Sequence, residues 1–154
     1  MFRSVHPHST GSPLLDAQSD FFRARRAYLV ARLGRGLRRR GAGGGRPREL
    51  SCVTVLAGGA TRLEVVPLHA IVGTVEPTAQ FDSKFRPASN SLRRRWERVA
   101  LGHRTGRALP PVVLRRQPDG YYVVDGRHRV SVARAFRHRD INAWVTGPLG
   151  AIGR

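Results

Sequence analysis

The sequence predicts an α/β fold: a compact domain with a small mixed sheet flanked by helices, preceded by a basic N-terminal helix. Three observations carry this expectation. Pro110-Pro111-Val112-Val113-Leu114 and Tyr121-Tyr122-Val123-Val124 are short β-branched and aromatic runs, separated by the turn signal Pro118-Asp119-Gly120, and read as a β-hairpin. The second run passes through Asp125-Gly126 directly into a helical pattern with Val130, Ala133 and Phe136 on one face. The chain then returns to a strand at Ile141-Asn142-Ala143-Trp144-Val145.

In chain order, residues 1–15 are rich in Pro, Ser, His and Gly and read as a disordered tail. Residues 16–60 read as a basic helix and a Gly-rich linker. From Asp16 or Asp20 to about Arg40, Phe21, Phe22, Ala24, Tyr28, Leu29, Leu33 and Leu37 recur near helical spacing, and arginines fill the intervals. Gly34 and Gly36 weaken the last turns, Gly41 to Gly45 end them, and Arg46-Pro47-Arg48 continues the linker. Ser51 to Leu56 reads as a short strand and Gly58-Gly59 as a turn.

The domain proper spans 61–147. Leu63-Glu64-Val65-Val66-Pro67 alternates and stops at proline, as a strand does. Pro67 to Gly73 follows as a turn into a loop that Phe81, Phe85 and Pro87 anchor. Ser91 is placed to cap a helix over 91–105, in which Leu92, Trp96, Val99 and Ala100 share a face and Gly106 is the stop. The expected sheet takes strands at 63–67, 111–116, 121–125 and 141–146, covered by helices at 91–105 and 127–137. Residues 148–154 are a tail.

The chain of 154 residues carries a net charge of +18, from 28 Lys and Arg against 10 Asp and Glu. Lys84 is its one lysine. Such a balance points to a polyanionic partner, or to a GC-rich genome that favours Arg codons whatever the function. Residues 1–50 hold 11 arginines and 3 acids. That N-terminal helix has three readings: on nucleic acid, on an anionic membrane, or docked on the domain, which its aromatic residues favour. One cysteine, Cys52, precludes an internal disulfide, and a cytoplasmic protein is expected. No apolar run approaches the ~18 residues of a membrane span, and the first residues lack a signal-peptide core. The six histidines and one cysteine show no metal-ligand spacing, so no zinc site is expected.

The chemistry concentrates at Asp125-Gly126-Arg127-His128-Arg129. A strand that ends in Gly and opens into a helix presents free N–H groups and the positive end of the helix dipole. Gly126 admits an anion close to the backbone, Arg129 offers a bidentate fork to phosphate, and His128 can hydrogen-bond or move a proton. Cationic residues in a first helical turn disfavour the helix alone. They call for an anion, unless Asp125 caps the helix and they merely point into solvent.

The wider pattern resembles the ParB/sulfiredoxin superfamily domain, and in particular small actinobacterial ParB-like proteins labelled partitioning proteins or nucleases. The resemblance runs over residues 63–146: Val66 to Val75, then Phe81-Asp82 to Pro87, Arg95-Trp96-Glu97-Arg98, Leu109 to Val112, and most strongly Tyr122 to Ala135. It implies that Asp125, Gly126, Arg127, His128 and Arg129 bind the phosphates of CTP or ATP, with Mg²⁺ on the nucleotide. Arg127 stands where sulfiredoxins carry their cysteine, which argues against that chemistry. In free-serine kinases of the superfamily a glutamate after the first loop is the base, and Glu76 lies in the comparable place. The helix-turn-helix domain of partition proteins is missing, which argues against specific centromere binding.

Other residues keep two readings. Glu76 is a general base or an ion-pair partner of arginine. Asp82 lines the site or caps the Phe81 turn. Arg93, Arg94, Arg95 and Arg98 track a DNA backbone or form a solvated helix face. Trp96 reads as core. The leading expectation is a nucleotide-phosphate-binding module that also binds DNA, in partition or transcription regulation. One alternative is an enzyme with Glu76 and His128 as catalytic groups, either a phosphotransferase or a nuclease, although no acidic cluster suits two metals. The other is a regulatory protein-interaction module with a vestigial pocket.

Overall fold

The computed structural model describes residues 9–37, 45–49 and 60–147. The strand expected at Ser51 to Leu56, the Gly58-Gly59 turn and the C-terminal tail lie outside them. The described residues form an α/β structure of three α-helices and one six-stranded mixed sheet.

The strands are β1 (Arg48–Glu49), β2 (Thr61–Pro67), β3 (Ile71–Thr74), β4 (Val112–Gln117), β5 (Gly120–Asp125) and β6 (Asp140–Thr146), in the order β1-β3-β5-β4-β6-β2. The hairpin β4–β5 forms the centre, with Leu114 opposite Val123 and Arg116 opposite Tyr121. β6 joins β4 in parallel after the α3 crossover, and β2 closes that side antiparallel to β6. On the other side β3 runs parallel to β5 and β1 parallel to β3. Alternation decides which face is covered. Val66, Leu114, Val123, Ala143 and Val145 point to the helical side and are buried, whereas Leu63, Val65 and Trp144 on the opposite face stay exposed.

The helices form layers on that one face. α3 (Arg127–Ala135) sets Val130 and Ala133 into the sheet core and turns Val132 the other way. There Val132 meets Leu92, Trp96 and Ala100 around α2 (Arg93–Arg104), together with Phe81 and with Ala17, Phe21 and Ala24 of α1 (Pro13–Leu37). Trp96 is fully buried, as expected. Its ring meets Phe21 edge-on at 5.7 Å and its indole N–H donates to Ser131 Oγ at 2.9 Å. Burying a side chain such as Phe21 contributes about 1.5–3 kcal/mol, and Phe21 with Ala17 and Ala24 fixes the N-terminal half of α1 on α2.

Several boundaries differ from the sequence reading. α1 starts at Pro13, inside the expected tail, because proline's fixed φ suits the first helical position. Leu68–Ala70 is a 3-10 turn and Ile71–Thr74 a strand where a loop was expected. β3 is only four residues long and owes its conformation to pairing with β5. Arg48 and Glu49, expected in the linker, make β1 against it. A Cβ on Gly73 would collide with the Arg48 carbonyl, so glycine is what lets β1 approach. Ser91 does not cap α2: a 3-10 turn, Asn90–Leu92, precedes that helix, and Ser89 Oγ accepts from Ser91 N–H at 3.1 Å.

Candidate functional site

α3 starts abruptly. Gly126 adopts φ +102°, in the left-handed region, and a Cβ there would lie 2.6 Å from Val112 Cγ1. Two constraints therefore demand glycine before any ligand is considered. No side chain caps the helix. Asp125, the expected cap, is turned to Arg129, accepting from Nη2 at 2.7 Å. The N–H groups of the first turn, which an α-helix cannot satisfy internally, are thus left without a side-chain acceptor.

Arg129 does not present an open fork. Its Nη1 donates to the carbonyls of Pro110 and Pro111 at 2.6 and 2.7 Å, and its Nη2 is held by Asp125. It ties the start of α3 to the entry of β4. Arg127 of α3 meets Glu76 across this corner, and the charge of Arg95, exposed on α2, acts on His128. His128 lies between elements: its ring meets Phe81 edge-on at 5.2 Å, and its Nε2 is buried with no hydrogen-bond partner among the described residues. Burial, then the charges of Arg95 and Arg127, push the His128 pKa down to about 4. At neutral pH the imidazole is therefore uncharged, with a ring nitrogen able to donate or accept.

Glu76 follows β3 and reaches this corner. Its carboxylate lies 3.6 Å from Arg127 Nη2 and is 77% exposed. The loop that carries it is pinned by Thr74 Oγ1, which donates to the Glu76 carbonyl at 2.6 Å. The structure thus gathers Glu76, Arg95, Gly126, Arg127 and His128, from two helices and a loop. Asp82 is buried elsewhere in its own turn, accepting from Lys84 and Arg86 N–H at 3.0 and 2.9 Å and from Arg86 Nε at 2.7 Å. Of the α2 arginines, Arg93 is engaged with Glu97 at 2.6 Å and stacks on Phe22, whereas Arg94, Arg95 and Arg98 are exposed.

Two further arginines hold the fold together in ways the sequence does not show; there Arg104 reads only as a favourable cation at the end of its helix. Arg104 is buried at the α1–α2 seam, where it meets Asp20 at 2.6 Å and Asp16 at 3.5 Å. Arg134 donates to the carbonyls of Leu68 and Ile71, both at 2.8 Å, and lies over Phe85. Nothing local marks these arginines among so many. A groove of about 360 Å³ opens on the far side of Arg129, between His103, Arg107, Leu109 and His138, but Arg127, His128 and Glu76 do not line it. Among the described residues, no group of three or more His, Cys, Asp or Glu is placed to hold a metal ion.

Compared with models of known protein families, with curated proteins and with solved structures, the chain matches none.

Proposed function

We propose that the corner formed by Arg95, Arg127, His128 and the first turn of α3 binds the phosphates of a nucleotide, CTP or ATP, in a domain of the ParB/sulfiredoxin type. One observation carries this: His128, buried and without a hydrogen-bond partner among the described residues, lies under the charges of Arg95 and Arg127 beside a helix N-terminus that no side chain caps, while the two nearby carboxylates, Glu76 and Asp125, are turned to Arg127 and Arg129. Cations at a helix N-terminus oppose the dipole. An anion there relieves both the charge excess and the unsatisfied N–H groups. Arg127 and Arg95 supply the charge, and Gly126 exposes the backbone. Arg129 is a positioning residue that holds the turn against Pro110 and Pro111. Mg²⁺ brought with the nucleotide would find Glu76 as its protein carboxylate, the rest of its shell being phosphate and water. The exposed Arg94 and Arg98 extend the basic face along α2 toward a DNA backbone.

Calorimetry with CTP and ATP tests the reading. Arg127→Ala and Arg95→Ala are each expected to weaken binding about tenfold or more, as loss of a charge-assisted contact does. Equal affinity in wild type and Arg127→Ala, or no heat with either nucleotide, overturns it.

The position of Glu76 beside Arg127 favours a second reading, a phosphotransferase with Glu76 as base. Labelled ATP, Mg²⁺ and a panel of small hydroxyl compounds would reveal transfer. Turnover unchanged in Glu76→Gln excludes that role.

A further inference from the structure

α1 carries apolar side chains on two opposite sides. Ala17, Phe21 and Ala24 are buried against α2. Helical spacing puts Leu15, Phe22, Leu29 and Leu33 on the far side, at intervals of seven, seven and four residues, with Val30 beside them. These five are 42–69% exposed. No residue from Leu29 to Gly36 is buried, and a Cβ on Gly34 or Gly36 would meet nothing within 4 Å. A surface helix normally turns polar residues to this side. Apolar side chains recur on this side over about 27 Å, from Leu15 to Leu33 at 1.5 Å per residue, with Ser19 and Arg26 on the turns between them, and mark a docking surface instead.

Charge indicates what it docks on. The two acids of α1, Asp16 and Asp20, are turned inward onto Arg104. The outer side is left with cations. Arg26 stands among these apolar side chains, one turn after Phe22, and Arg32 lies near their far end; neither has an ion-pair partner among the described residues. A second copy of this chain would bring these arginines against their equals. DNA would satisfy the arginines but leave the leucines in water. An acidic phospholipid surface suits both, because the apolar side chains enter the acyl boundary while arginines reach back to the phosphates.

We propose that α1 seats the protein on acidic phospholipid membranes, lying in the interface with Leu15, Leu29 and Leu33 inward and Phe22, whose ring carries Arg93, at the edge toward α2. The proposal is independent of the nucleotide reading, since none of these residues touches the α3 corner.

Co-sedimentation of the full chain with vesicles tests it, using phosphatidylcholine alone and phosphatidylcholine with phosphatidylglycerol. The wild type is expected to partition onto the acidic vesicles. The double variant Leu29→Gln/Leu33→Gln keeps every charge and every buried contact, and is expected to partition about tenfold or more less well. Equal binding of wild type and double variant would show that bulk positive charge alone is responsible and overturns the proposal, as does failure to bind at low salt. A concentration-dependent dimer abolished by the same substitutions also overturns it, in favour of a second copy. A solvent-sensitive fluorophore on Leu33→Cys, in a Cys52→Ser background, gives a reading that does not depend on the double variant. A blue shift with acidic vesicles is expected, and an unchanged spectrum refutes insertion.

Discussion

Arg129 directs one nitrogen at the Pro110 and Pro111 carbonyls and the other at Asp125, whereas two residues earlier Arg127 reaches, among the described residues, Glu76. Their substitutions should separate. Arg129→Ala is expected to cost about 1 kcal/mol in urea unfolding, because the Pro110 carbonyl and the part-buried Pro111 carbonyl lose a charged donor. Arg127→Ala should stay within about 0.5 kcal/mol of wild type, since its ion pair is with a largely exposed carboxylate, while losing nucleotide affinity. His128 sets a pH dependence. Its folded pKa, about 4, lies below its ordinary value of 6.5. Between these values the unfolded chain binds more protons than the folded one. The contribution is therefore complete above 6.5 and is lost as the pH falls toward 4. Thermal unfolding of wild type minus His128→Phe across this window should show that slope. Bound phosphate should raise the His128 pKa, which NMR titration would follow. The sequence placed Glu76 near the arginine turn only loosely; the 3.6 Å contact depends on β3 pairing with β5, which no local pattern reveals.

At the scale of elements, the α1–α2 seam combines the Phe21–Trp96 contact with a buried charge cluster. Asp20 and Asp16 flank Arg104, all three side chains at or below 6% exposure. Asp20→Ala removes both short contacts of the buried guanidinium and leaves it Asp16 at 3.5 Å, and a loss of about 3 kcal/mol is expected. Limited proteolysis within α1 should accelerate in the same variant. Asp16 is held below the usual carboxylate range, first by the Thr10 backbone N–H against the opposing effect of burial, then by the Thr10 hydroxyl and Arg104. Its depressed folded value means that its contribution is present above the ordinary pKa of about 4 and is lost as pH falls through the lower folded one. Acid thus loosens the start of α1. The helical spacing of this segment was legible, and so was docking by its aromatic residues. Which side docks was not, because apolar residues occur on both.

For the whole molecule, a charge of +18 makes every encounter with a polyanion sensitive to salt. If Arg94 and Arg98 neutralise two DNA phosphates, neutralising them together should flatten the slope of log K against log salt by about 2. A slope unchanged in the double variant assigns the DNA contact to another surface. The same charge argues against large self-association, and it leaves the layered arrangement, sheet, α3, then α2 with α1, to be held by its two apolar clusters.

The sequence by itself determined the α/β class, the central hairpin, the α3 crossover and the strands on either side of it. Those features rest on periodicity and turn residues within a few positions of one another. Only the tertiary structure decided that Ile71–Thr74 and Arg48–Glu49 become strands, that Asp125 and Arg129 close on each other, and that α1 shows the solvent its second apolar side. Each of these depends on a backbone or side chain brought close by folding, with pairing and burial outweighing local preference. The Asp125–Arg129 contact is local in sequence, but the same guanidinium also binds Pro110 and Pro111, and that placement comes from the hairpin.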